Sequence, residues 1–240
     1  MEKGKNAVKV HDSAINRIVL NIPHSSTLFP NQRDLEAWPL AIQQHIDRWT
    51  DWFTDVIFDS DDPRVVPIVF PFSRFYCDVE RLINDPLESQ GQGIFYKRFD
   101  YLYRQWSKDD KDIAMYWYHW HIDRLSEAII NSNTLLIDCH SFPDDLSNVE
   151  ICIGLNDDWS CPSRDMINLV VSHFRQRGYR TEINTPYSNS ITPPKAFQYM
   201  SLMIEVNKMI YWDECNRLNP SKGLLLIQTI NDLYQLLFSS

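Results

Sequence analysis

Hydrophobic positions along this chain gather into short continuous runs, and amphipathic stretches separate them. The runs at 17–22, Val65–Phe70, 134–139, Val149–Leu155, Tyr179–Asn184 and Tyr199–Val206 have strand length and predict strands. Pro67, inside the second run, removes a ladder donor and predicts an edge position. Trp49, Trp52, Phe53, Ile57 and Phe58 recur at helical spacing, so 33–58 is expected to be largely helical, broken near Pro39. Further helices are expected over 109–131, over Arg164–Arg177 with Gly178 as its C-terminal stop, and over Pro220–Leu237. Residues 71–97 and 185–194, punctuated by proline or glycine, read as long functional or mobile loops. Strands alternating with helices predict an α/β fold, its mainly parallel sheet covered on both faces. No repeat or linker interrupts the pattern, and 1–240 is read as one domain.

Composition narrows the partners. The chain is 44% hydrophobic and 23% charged with a net charge of −9. An acidic surface argues against nucleic acid or an anionic membrane, yet a local arginine pocket can still take a small anion. The sequence has no apolar run of membrane-spanning length, and no apolar segment follows Met1–Asn6 as a signal peptide requires. Cysteines 77, 139, 152, 161 and 215 have no C-x-x-C spacing, which predicts reduced thiols and a cytoplasmic setting. A monomer or small homo-oligomer is expected.

Two of the strands run out into chemistry. Asp138-Cys139-His140-Ser141 ends the run at 134, and Pro23-His24-Ser25-Ser26 follows the run at 17. Ligands of open α/β sheets bind at the carboxyl edge of the strands, so two histidines delivered there suggest one site. Two histidines and a carboxylate are a catalytic zinc set. Asp47, Asp51 and Asp55, at i, i+4 and i+8, would share one helix face and could supply the acid. A serine nucleophile is disfavoured because neighbours on a strand point to opposite faces and no G-x-S-x-G elbow is present. Cys139 faces away from His140 and reads as an inert core thiol. Glu205 lies inside an apolar strand, where a carboxylate must be paired, protonated or functional. Arg74 and Arg81, in the loop after the second strand, are candidates to grip a carboxylate, with local ion pairs to Asp78, Glu80 or Asp85 as the plainer reading. His119 and His121, at i, i+2, diverge on a helix and are poor joint ligands.

Four motifs occur in order: Pro23-His24-Ser25-Ser26; Ser73-Arg74 with Asp78-Val79-Glu80-Arg81; Asp138-Cys139-His140-Ser141; and Glu205-Val206-Asn207. As a set, over residues 17–212, they resemble the N-formylglutamate amidohydrolases, a family related in fold to zinc carboxypeptidases and aspartoacylases. The resemblance implies a three-layer α/β/α sandwich with a mixed, largely parallel sheet. It also implies one catalytic zinc held by His24, Asp51 (or Asp47) and His140, with Glu205 as general base. Arg74 would stabilise the oxyanion, and Arg81 would hold the substrate carboxylate, with Asn207, Ser141 and His121 also at the substrate. The implied substrate is a small N-formyl or N-acyl amino acid carrying carboxylates. A zinc peptidase or amidase for a peptide or cell-wall fragment, and a metal-free binding protein on the same fold, are the alternatives. This chain departs from the family pattern in having Ser26 where glycine is common and Glu80 where some members have asparagine.

Overall fold

A computed structural model gives the architecture and describes residues 14–30, 40–99, 102–213 and 217–240. The strands are β1 (Arg17–Ile22), β2 (Val65–Val69), a ribbon of β3 (Arg98–Phe99) and β4 (Leu102–Tyr103), β5 (Thr134–Phe142), β6 (Ile151–Gly154), β7 (Thr181–Ile183) and β8 (Met200–Asn207). The helices are α1 (Leu40–Trp49), α2 (Thr54–Ile57), α3 (Lys108–Ala128), α4 (Arg164–Gln176) and α5 (Pro220–Phe238). Side chains start the longer helices: Ser107 accepts from the Asp110 amide, Ser163 from Met166, and Asn219 from Ser221 and Lys222, each satisfying a first-turn donor. Gly178, at φ +89°, follows α4 in the left-handed region, as its type predicts.

Six strands form one sheet in the order β2-β1-β5-β8-β6-β7. All neighbours are parallel except β6 and β8, so the sheet is mixed and largely parallel. Pro67 sits in edge strand β2 as expected. On one face Ile18, Leu20, Leu135, Ile137, Leu202 and Ile204 pack against Ile57 of α2, Phe58 just after it, Val170 and Phe174 of α4, and Ile230 and Tyr234 of α5. On the other, Val19, Ile68 and Leu136 meet Leu125 and Ala128 of α3. Three layers result. None of the described helices is long and apolar enough to cross a membrane.

Register decides which side chains meet. Val19 pairs with Leu136 and Asn21 with Asp138; Asp138 pairs with Met203 and His140 with Glu205. Directly paired residues share a face, so Asn21, Asp138, His140 and Glu205 all lie on the α3 side, towards the carboxyl ends of β1, β5 and β8. Cys139, one residue out of phase, is core on the opposite face, in agreement with the strand reading.

One expected element is different. Residues 40–58 are not a continuous helix: α1 ends at Trp49 and α2 begins at Thr54. The Thr50 hydroxyl bonds back to the Ile46 carbonyl, and Phe53 takes φ +65°, a conformation that interrupts a helix. Asp47 and Asp55 are exposed while Asp51 is buried in the turn, so the three acids do not share a helix face. The expected break near Pro39 lies outside the described residues.

Candidate active site

The interruption after α1 is what brings Asp51 inward. Its amide donates to the His24 carbonyl at 2.9 Å, its carbonyl accepts from Thr54 Oγ1 at 2.8 Å, and its side chain turns towards the sheet edge. Lys208, just past β8 and buried, donates to the Arg48 carbonyl at 2.6 Å and secures the end of α1. His24 follows β1 and His140 belongs to β5; their ring centroids are 5.1 Å apart. Asp51 Oδ2 stands 3.0 Å from His140 Nδ1 and 3.6 Å from His24 Nδ1. Three residues expected from sequence as a metal set are therefore brought together, while Asp47 is exposed on α1.

A second carboxylate faces the same imidazoles. Glu80 places Oε1 at 3.0 Å from His140 Nε2 and Oε2 at 3.9 Å from His24 Nε2. His24, Glu80 and His140 each offer a donor atom within 4.8 Å of the others, a group able to hold a metal ion. Behind the rings lie two further acids. His24 Nε2 is 2.9 Å from Asp78 Oδ1, and His140 Nε2 is 3.1 Å from Asp138 Oδ1. A carboxylate on the far nitrogen fixes tautomer and ring orientation in metal-binding histidines. His24 Nδ1, fully buried, has no hydrogen-bond partner among the described residues. Two imidazoles and a carboxylate are a donor set that zinc takes, and an unpaired buried ring nitrogen facing Asp51 fits that use.

Charges follow from this crowding. Burial opposes ionisation of Asp51, but the hydrogen bond from His140 and the charge of both nearby histidines outweigh it and hold the carboxyl well below the usual range. For Glu80 burial is likewise overcome, chiefly by His140, to about 2. His140 is disfavoured as a cation by burial, yet Glu80 and Asp138 raise it well above an ordinary histidine. Glu205 goes the other way: enclosed, and with Oε2 lacking a partner among the described residues, it is pushed well up by desolvation.

Asp51, Glu80, His140 and Glu205 line a cavity of about 850 Å³, with His24 buried behind its wall. Arg74, Arg81, Ser141 and Glu205 reach its wall, with Trp49, Phe75, Tyr96 and Tyr187 as aromatic sides. Arg74 donates to Asp78 Oδ2 at 3.0 Å. Two expected substrate contacts are corrected. His121 is fully buried and does not line the cavity; its Nε2–H donates to Asn21 Oδ1 at 2.7 Å, and Asn21 Nδ2 donates to Asp138 Oδ1 at 2.7 Å. It supports His140 from behind, and burial keeps it neutral, with its pKa lowered to about 3. Asn207 is also fully enclosed, donating to the Ser147 and Val149 carbonyls and accepting from the Met209 amide. The polar types were conspicuous in the sequence; their burial was not. Asp78, Asp138 and Asn21 were missed as parts of the site. The signal for Asp138 was its place two residues before His140 on one strand, hence on the same face.

The model of the N-formylglutamate amidohydrolase family matches residues 16–212. No curated protein matches the chain. Among solved structures, an N-formylglutamate amidohydrolase from Ralstonia eutropha JMP134 is similar with a TM-score of 0.78 at 19% identity, over 95% of this chain and 94% of that one. The gene product Atu2144 from Agrobacterium tumefaciens is similar with a TM-score of 0.70 at 15% identity, over 94% and 92%. At such identities these two speak for the fold, and the family match speaks for the class: the chain belongs to the N-formylglutamate amidohydrolase family, hydrolases of an amide bond.

Proposed function

We propose that this protein is a zinc-dependent amidohydrolase that removes a formyl or other small acyl group from the nitrogen of an amino acid bearing a carboxylate. The observation that carries the reading is the pair of buried imidazoles whose Nδ1 atoms face Asp51, with His140 and Asp51 reaching a cavity wall that also presents Glu205 and two arginines while His24 lies behind it. His24, His140 and Asp51 would hold the ion, because the Nε2 atoms are already engaged by Asp78 and Asp138. Bound there, zinc supplies Lewis acidity and a water acidic enough to ionise near neutral pH.

The remaining work falls to the chain's own side chains. Glu205, with its raised pKa, is suited to accept the attacking water's proton and pass it to the departing amine. Arg74 offers a fixed positive charge for the developing oxyanion. Arg81 answers the substrate carboxylate with a planar fork of donors.

The cavity's size favours a second reading. At about 850 Å³ it lies in the upper part of the range, about 300–1,000 Å³, that takes drug-sized ligands. A larger amide, such as a short N-acylated peptide, would also fit. A panel of N-formyl amino acids, N-acetyl amino acids and N-formyl dipeptides, followed by amine release, separates the two. The primary reading expects the highest kcat/KM on a single acidic N-formyl amino acid; a tenfold preference for dipeptides would replace it with the second.

A further inference from the structure

Asp78 is fully enclosed, and its two oxygens serve different parts of the site. Oδ1 lies 2.9 Å from His24 Nε2 and accepts from the Glu80 amide at 3.2 Å. Oδ2 accepts from Arg74 Nη2 at 3.0 Å and stands 3.5 Å from Arg81 Nε. The loop closes around it: the Tyr76 and Cys77 amides return to the Ser73 carbonyl, and the Arg81 amide to the Asp78 carbonyl. Arg74, four residues before Asp78, and Arg81, three after, are thereby gathered onto one oxygen.

Resting on the amidohydrolase reading, we propose that Asp78 is a positioning residue that ties the metal site to the substrate site, orienting His24 with one oxygen and both guanidiniums with the other. Asp138 is the natural contrast. It stands behind His140 in the same way, but among the described residues its other hydrogen-bond partners are Asn21 Nδ2 and the Ile191 amide, with no guanidinium. Outer carboxylates of this kind are worth about 10–100-fold in metal affinity. Loss of Asp138 should therefore affect metal alone, whereas loss of Asp78 should affect metal and substrate together.

The test compares Asp78→Asn and Asp138→Asn in the full chain, measuring zinc affinity by competition with a chromogenic chelator and KM at saturating zinc. Asp78→Asn should bind zinc at least tenfold more weakly and also raise KM at least tenfold. Asp138→Asn should weaken zinc comparably and leave KM at saturating zinc within about threefold. A folded Asp78→Asn that loses only one of the two properties overturns the inference, as does an equal rise in KM for Asp138→Asn. Should Asp78→Asn fail to fold, Asp78→Glu displaces both oxygens while keeping the charge and must show the same double loss; either property unchanged overturns the inference. A wild type that binds zinc and hydrolyses amides while the variants break this pattern sinks the inference alone. A wild type that does neither sinks the functional reading and this inference with it.

Discussion

Replacing Glu205 with glutamine removes a proton acceptor and preserves shape. Glutamate and glutamine are nearly isosteric, and Glu205 is only 7% exposed in strand β8, so the backbone has no reason to move. General bases contribute about 10²–10⁴-fold, or about 2.7–5.4 kcal/mol at 1.36 kcal/mol per tenfold. The structure places the loss towards the upper end, because the neighbouring acids Asp51 and Glu80 are already held by the two histidines and neither can substitute. Turnover should fall by about a thousandfold or more, with zinc content unchanged. Stability supplies an independent sign. Desolvation raises the pKa of Glu205 in the folded state, so its contribution is fully present below the unfolded glutamate value, about 4.3, and is lost as pH rises through the folded value. Metal-free wild type should therefore lose stability relative to Glu205→Gln as pH rises from below the ordinary glutamate range, read from denaturant midpoints at an acidic and a neutral pH. In wild type, kcat/KM should rise with pH through an inflection above the ordinary glutamate value. Retention of more than a tenth of the wild-type turnover, or a wild-type-to-variant stability gap that does not change with pH, refutes the assignment.

Three further outcomes are expected. Asp51→Asn should weaken zinc binding at least tenfold while Glu80→Gln stays within about threefold, by chelator competition; the reverse would make Glu80 the ligand. Arg81→Ala should raise KM at least tenfold with kcat little changed, the pattern of lost uniform binding; a fall in kcat with KM fixed would move Arg81 into the chemistry. Leu202→Ala, at a fully buried position of the central sheet, should cost about 2–5 kcal/mol and lower Tm by about 2–4 °C per kcal/mol, with zinc stoichiometry retained.

Much of this was legible in the chain because sheet topology converts strand order into proximity. The run Thr134–Phe142 is buried along its whole length, and its acid and histidine fall at the carboxyl edge, where His24 and Glu205 also arrive. Asp51 does lie beside the histidines, but for a different reason than its spacing suggested. Periodicity placed it on a helix face with Asp47 and Asp55; a Thr50 back-bond and a left-handed Phe53 put it in a turn. Periodicity cannot see such a break. Asp78 lies 54 positions from His24 in an irregular loop that also carries Glu80, and only the tertiary path of that loop brings the two acids to the imidazoles. His121 and Asn207 show the opposite error. Residue type suggested contact with substrate, while complete burial and a full set of hydrogen bonds for Asn207 give both a supporting place.

The claim at the centre of this account is metal-dependent amide hydrolysis at the His24–Asp51–His140 site. The most direct measurement is formate release from N-formyl-L-glutamate by protein stripped with a chelator, before and after one equivalent of zinc is returned, beside His140→Ala treated alike. Activity lost on stripping, restored by one equivalent in wild type and absent in the variant is the predicted result. Turnover that survives stripping, or that zinc restores equally to His140→Ala, would contradict it.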